Sequence, residues 1–248
     1  MSDVHDYIAS LQFPDTAHRP FLQNPPPQSD NSTRRTDGAM VLGDSLVSFV
    51  SGLGQQARED VLNSTLLMQL AASKRFDKAK QREKWFNFYT EGLGKLGWTL
   101  SHSEMQRYQP NRQAFTLDDV ALDIIDSVVG GAEFAPLARR TFESLRKQPH
   151  ALQLFLDNCN KGNVGTFQIM PCTQNAEGDV TMLMNCMQVI RNTSNTSILF
   201  VTFQSNEVQI FRAAQTSVLN TQTYSQVREA VITKLGDNAN RFLAHLSL

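Results

Sequence analysis

Few side chains in this 248-residue chain stand where their spacing could do chemistry. His102 and Glu104 are two apart in WTLSHSEMQRY. On a strand that spacing puts an imidazole and a carboxylate on one side, a workable acid–base pair. It is equally the spacing of two solvated residues on an exposed face. Asp119, Asp123 and Asp126 fall at i, i+4 and i+7, with Asp118 adjacent. Such a face could hold a divalent cation if other oxygens converged. The wet side of an amphipathic helix looks the same, and the macrodipole favours acids in its first turn. His150 and Cys159 are over two helical turns apart, too far for a thiolate–imidazolium pair. His5, His18 and His245 have no companions. No G-x-S-x-G, H-E-x-x-H or P-loop occurs, and the G-x-G-x-x-G spacing occurs once, as Gly92, Gly94 and Gly97. The glycines of GLGKLG (92–97) end a helix rather than follow a strand, which argues against a phosphate cradle. No catalytic residue, metal or cofactor is assigned on these grounds.

Charge is unevenly spread. Lysines and arginines number 23 and acids 24, so no global field draws the chain to nucleic acid. KRFDKAKQREK (74–84) carries eight charged side chains, with Phe76 and Trp85 flanking. Basic residues interleaved with aromatics suit single-stranded nucleic acid. Asp77 and Glu83 dilute them, and a solvated helix face is the better reading. Between 160 and 227 there are only six charges: Lys161, Glu177, Asp179, Arg191, Glu207 and Arg212. The neutral part of the chain is therefore the part that reads as sheet.

The start MSDVHDYIAS has no basic n-region or apolar h-region, which leads us to expect synthesis in the cytoplasm, with any export non-classical. Cys159, Cys172 and Cys186 fit no zinc spacing and read as reduced and buried. Four N-x-S/T sequons, at Asn31, Asn63, Asn192 and Asn195, read as products of Asn/Ser/Thr-rich loops. No apolar run reaches 18 residues, so no transmembrane helix is expected.

The elements that must position these residues divide the chain. Residues 1–38 form a proline-rich arm in which Phe13 and Phe21 each sit beside a proline, ready to dock in a groove. Residues 39–248 form one α+β domain, helical over 39–162, then sheet and final helix over 163–248. AMVLGDSLVSFVSGLG (39–54) has Leu42, Leu46, Phe49, Val50 and Leu53 at helical spacing and reads as a buried helix. Thr116 and Asp119 cap a helix stopped by Gly130-Gly131. Pro136 and Pro149 each open another. Four strand-like runs follow: VGTFQIMPC, VTMLMNCMQVI, SILFVTFQ and EVQIFRAAQ. Their short turns predict a four-stranded antiparallel meander. SILFVTFQ is apolar on both faces and reads as its centre. A covering helix is expected over 223–246, bearing Phe242 and Leu246.

Function follows from what that sheet faces. Its Thr, Gln, Asn and Met side chains lack the lysines that guard edges. We expect a non-enzymatic protein that binds a protein partner or itself through Met182, Met184, Met187 and Gln209, helped by Phe13 and Phe21. The alternative is a membrane-active effector or toxin that inserts an amphipathic hairpin (180–205) or the 39–54 helix. An enzyme with a site assembled from scattered residues stands third.

Overall fold

A computed structural model describes residues 2–14, 37–175, 177–192, 197–236 and 243–246, together with Leu248. Among the described residues, eight α-helices and a large mixed sheet make an α+β fold in three layers, helices over both faces of the sheet. In chain order the first elements are α1 (Ser2–Ser10), β1 (Gly38–Leu42), β2 (Ser45–Phe49), α2 (Gln55–Arg75) and α3 (Arg82–Lys95). Then come β3 (Trp98–Leu100), β4 (Gln106–Tyr108), β5 (Ala114–Phe115), α4 (Leu117–Ser127), α5 (Ala135–Lys147) and α6 (Pro149–Cys159). The last are β6 (Asn160–Lys161), β7 (Val164–Gln174), β8 (Val180–Arg191), β9 (Phe203–Gln204), β10 (Val208–Leu219), α7 (Thr221–Ser225), α8 (Arg228–Leu235) and β11 (Leu243–Leu246).

Among the described residues the sheet has nine strands in the order β11-β1-β2-β7-β8-β10-β3, with β4 also on β10 and β6 on β7. β2 and β7 pair in parallel, because the whole run from α2 to α6 crosses between them. Alternation along the strands sorts the apolar side chains into two cores. Val47, Met170, Met184 and Ala213 face α1, α2, α3 and α8. Leu46, Ile169, Leu183 and Ile210 face α4, α5 and α6.

The helix signals act locally as their chemistry requires. Thr116 Oγ1 accepts the Asp119 N–H at 3.4 Å and starts α4. Proline occupies the first turn of both α5 and α6, where its missing N–H costs nothing.

The sheet is larger than the four-stranded meander, and three segments depart from expectation. Residues 39–54 form the β1–β2 hairpin, not a helix. Gly43 adopts φ 60° and with Asp44 makes a two-residue turn, so Leu42 faces Ser45. Both strands are covered on both sides, and in a doubly buried run helical and extended spacing give the same apolar pattern.

SILFVTFQ is not the centre of the sheet. Only Phe203–Gln204 is extended, paired with β5, and Phe200 sits at φ 63°. Ile198, Leu199 and Phe203 bury themselves in the core beside α4 as an irregular cover, which is why both of its faces are apolar. The hairpin of 180–205 therefore does not form; β8 pairs with β7 and β10 instead.

The final helix stops at Leu235, where Gly236 takes φ 49°. Leu246 lies on β11, paired with Ala39, and Phe242 falls outside the described residues. The arm is helical over Ser2–Ser10, ahead of Pro14, and Ile8 and Leu11 enter the core beside α8.

Candidate functional site

The neutral strands are the feature that needs explaining. β7 has 11 residues and no charge; β8 and β10 have 12 each. Their only charges are Arg191 at the end of β8 and Arg212 in β10. Arg191 pairs with Val208 and Arg212 with Met187, so both arginines lie toward one end of the sheet.

The two faces differ in chemistry. The face under α2 and α3 interleaves apolar residues with Thr166, Gln168, Gln188, Gln215 and Ser217. The face under α4, α5 and α6 carries Phe167, Ile169, Leu183, Val189 and Ile210. Burial demands that the polar face satisfy itself. Ser45 Oγ accepts from Gln69 Nε2 at 2.8 Å and from Gln168 Nε2 at 3.2 Å. Cys186 Sγ, opposite Gln168 in the register, donates to its Oε1 at 3.0 Å. Gln188 Nε2 donates to the Ala79 carbonyl at 2.8 Å and ties the α2–α3 connection to the strand.

All three cysteines are buried, which pushes the Cys186 thiol up to about 12 and raises Cys172 and Cys159 as well. None is a nucleophile in this fold, because reactivity needs the thiolate.

Ion pairs fasten the covers. Arg228 donates twice to the Asp60 carboxylate, each bond 2.7 Å, and joins α8 to α2; that bond raises the Arg228 pKa. Lys78 Nζ reaches Asp44, on the β1–β2 turn, at 2.7 Å. Lys161 Nζ reaches Asp77 at 2.6 Å, and this bond holds the Asp77 carboxyl below its usual value. On the opposite face Asp118 accepts from Arg146 at 3.2 Å and from the Phe200 N–H at 3.3 Å.

Two buried arginines contrast. Arg191 is satisfied by Asn160 Oδ1 at 3.0 Å and the Gly162 carbonyl at 3.1 Å. Arg82, 3 % exposed, stacks on Trp85 at 4.6 Å, but its Nε, Nη1 and Nη2 have no hydrogen-bond acceptor among the described residues. A single sequence carries no signal for that, since an arginine one residue from Glu83 and three from Trp85 reads as part of a wet helix end.

The residues singled out from sequence do not meet in one place. Met182, Met184 and Met187 are completely buried, the first two under α2 and α3 and the third on the opposite face. The helical layers put them out of reach of any partner of the folded chain. Gln209 is exposed near the start of β10. Phe13 packs against the core beside α8, with Lys234 Nζ 5.8 Å from its ring centre. Phe21 lies outside the described residues.

His102 and Glu104 approach to 3.3 Å at the surface, their side chains 87 % and 68 % exposed. Their loop, 101–105, separates β3 from β4 along the β10 edge. Shallow depressions of ≈ 370 and ≈ 530 Å³ flank it. His102, Ser103 and Glu104 line both. Asp123 is engaged by Arg112 at 2.7 Å and Asp118 by Arg146. Among the described residues no cluster of three or more potential metal ligands occurs, and no helix is long and apolar enough to cross a membrane.

No protein-family model matches the chain. No curated protein matches it either. Among solved structures, it is similar to the activated Cyt2Ba monomer from Bacillus thuringiensis subsp. israelensis, at 14% identity and a TM-score of 0.43, covering 70% of this chain and 96% of that one. It is similar to a delta-endotoxin at 13% identity and a TM-score of 0.37, covering 82% and 91%. It is also similar to the Evf virulence factor at 13% identity and a TM-score of 0.35, covering 96% and 89%.

Proposed function

We propose that this protein acts on membranes: its helical layers shield β7, β8 and β10 in solution, and their displacement lets those strands enter a bilayer. The observation that carries the reading is the strands themselves. Three adjacent antiparallel strands of 11, 12 and 12 residues hold two charges, both toward one end. A tilted strand needs about 9–11 residues to span the hydrocarbon core. Spanning hairpins also need one apolar and one polar face. Here the face under α4 to α6, apolar over Phe167, Ile169, Leu183, Val189 and Ile210 but also bearing Asn185, Arg191 and Arg212, supplies the first and the Gln/Ser/Thr face under α2 and α3 the second. For folding alone, a sheet roofed on both sides has no need of buried glutamines. Aliphatic residues fill such a sheet without unmade hydrogen bonds. The inserting unit is thus the β7–β8 hairpin with β10, in place of 180–205.

The native cysteines supply the test. Cys172 and Cys186 both lie on the polar face and are buried in the folded chain, so they should not react in solution. In a Cys159→Ser background, dye leakage from phospholipid vesicles should be accompanied by labelling of both thiols with a membrane-impermeant maleimide. A cysteine placed at Val189, on the apolar face, should stay unlabelled. Leakage with Cys172 and Cys186 still silent would overturn the strand assignment. No leakage from any vesicle composition would overturn insertion of the strands.

A further inference from the structure

Exposed basic residues gather at the α2–α3 corner. Their chemistry is concentrated by two ion pairs that the sequence does not reveal. Asp77, which appears to dilute the basic run, is taken by Lys161 from β6. Lys78 is taken by the buried Asp44. What reaches solvent between 74 and 84 is then Arg75, Lys80 and Lys84 together with Lys74, against Glu83 alone. These side chains share one end of the antiparallel α2–α3 pair. The Lys161–Asp77 and Gln188–Ala79 contacts put that end beside the sheet rim nearest Arg191 and Arg212.

Two phenyl rings sit among the cations. Phe76 and Phe88 meet edge to face, centroids 6.0 Å apart, and both are half-buried. The Arg75 guanidinium lies over both, 5.7 and 5.1 Å from their centres. Ring faces covered in this way are not free to stack on bases, which single-strand binders require. A cationic surface backed by partly sunken phenyls suits a headgroup layer instead.

We infer that the α2–α3 corner docks on an anionic phospholipid bilayer. This rests on the membrane reading and names the surface that the protein would meet first. Docking there presents to the lipid the connection between the two helices that cover the polar face of the sheet.

The experiment is sedimentation of the full chain with vesicles of phosphatidylcholine alone or containing 30 % phosphatidylserine, at low and high salt. Binding should require the anionic lipid and fall with salt. Each lysine neutralised should weaken it about five-fold, so Lys80→Gln/Lys84→Gln should weaken it roughly 25-fold. Glu83→Gln should tighten it. All three positions are exposed, and unchanged melting temperatures will show that the fold is intact.

Equal binding to both vesicle types overturns the inference, as does an unaltered double variant. Tighter binding to single-stranded DNA than to anionic vesicles at the same salt also overturns it. The two proposals fail separately: leakage indifferent to lipid charge removes only the docking surface, and charge-dependent docking without leakage removes only insertion.

Discussion

Arg82 offers the sharpest test of how the cover is held. Its guanidinium is buried, rests on Trp85, and finds no acceptor for any of its three nitrogens among the described residues. Leaving a buried donor unmade costs about 1–3 kcal/mol, and more for a charged group. The stack on Trp85 returns about 0.5–2 kcal/mol. Arg82→Met keeps the apolar stem over the indole and removes the desolvated charge. Replacing buried ionic groups by apolar ones is commonly neutral to 1–4 kcal/mol stabilising. The difference of these terms is a gain of about 2 kcal/mol. For a chain of this size that raises the melting temperature by roughly 4–8 °C. Arg82→Lys should not gain, because an ammonium keeps the charge and loses the flat stack. Calorimetry or far-UV melting reads the change directly. On the membrane reading, Arg82→Met should also slow leakage at fixed dose, since the closed form is favoured. An Arg82→Met protein that melts at or below the parent temperature would refute the reasoning, because it would mean the guanidinium contributes net stability where it lies.

Other outcomes follow from the same contacts. The Asp60–Arg228 pair is asymmetric, its side chains 1 % and 23 % exposed, so Arg228→Ala should destabilise by about 3 kcal/mol, leaving a buried carboxylate with the single Gln56 Nε2 bond at 3.1 Å and no counter-charge. Asp60→Asn should cost less, because the arginine left behind reaches water; urea melts compare the two. Asp77 has its folded pKa lowered by Lys161, so its stabilisation is present above the usual aspartate range and is lost only as pH falls through the lowered value. Wild type and Lys161→Ala should therefore differ in melting temperature at pH 6 and converge only once the pH has fallen below the usual aspartate range. A gap that closes near pH 5 would contradict this assignment. Gly131→Ala should fail at the α4–α5 turn, since its Cβ would lie 1.8 Å from the Ile125 carbonyl oxygen. Hydrogen exchange should show α4 and α5 loosening first.

Much was legible where local chemistry decides. Thr116, Pro136 and Pro149 mark helix starts whatever surrounds them, because caps and proline act on their own turn. Val164–Gln174, Val180–Arg191 and Val208–Leu219 announce strands, and their lack of charge is a property of composition alone. That neutrality is also what the proposed membrane insertion rests on. Helix and strand could not be separated over 39–54, nor strand and buried coil over 198–203. In each the apolar pattern reports burial, and only the layers above and below determine which conformation buries it.

The sequence by itself determined that the chain has a helical half, a neutral extended half and no nucleophile-bearing motif. Tertiary structure alone decided what those halves do to one another. It sealed Met182, Met184 and Met187 under the helices, and it gave Asp77 to Lys161 across 84 positions of chain. It also left Arg82 desolvated against Trp85. The physical reason is common to all three. Burial and ion pairing depend on which surfaces come within a few ångströms, and for residues distant in sequence that proximity is set by the packing of layers.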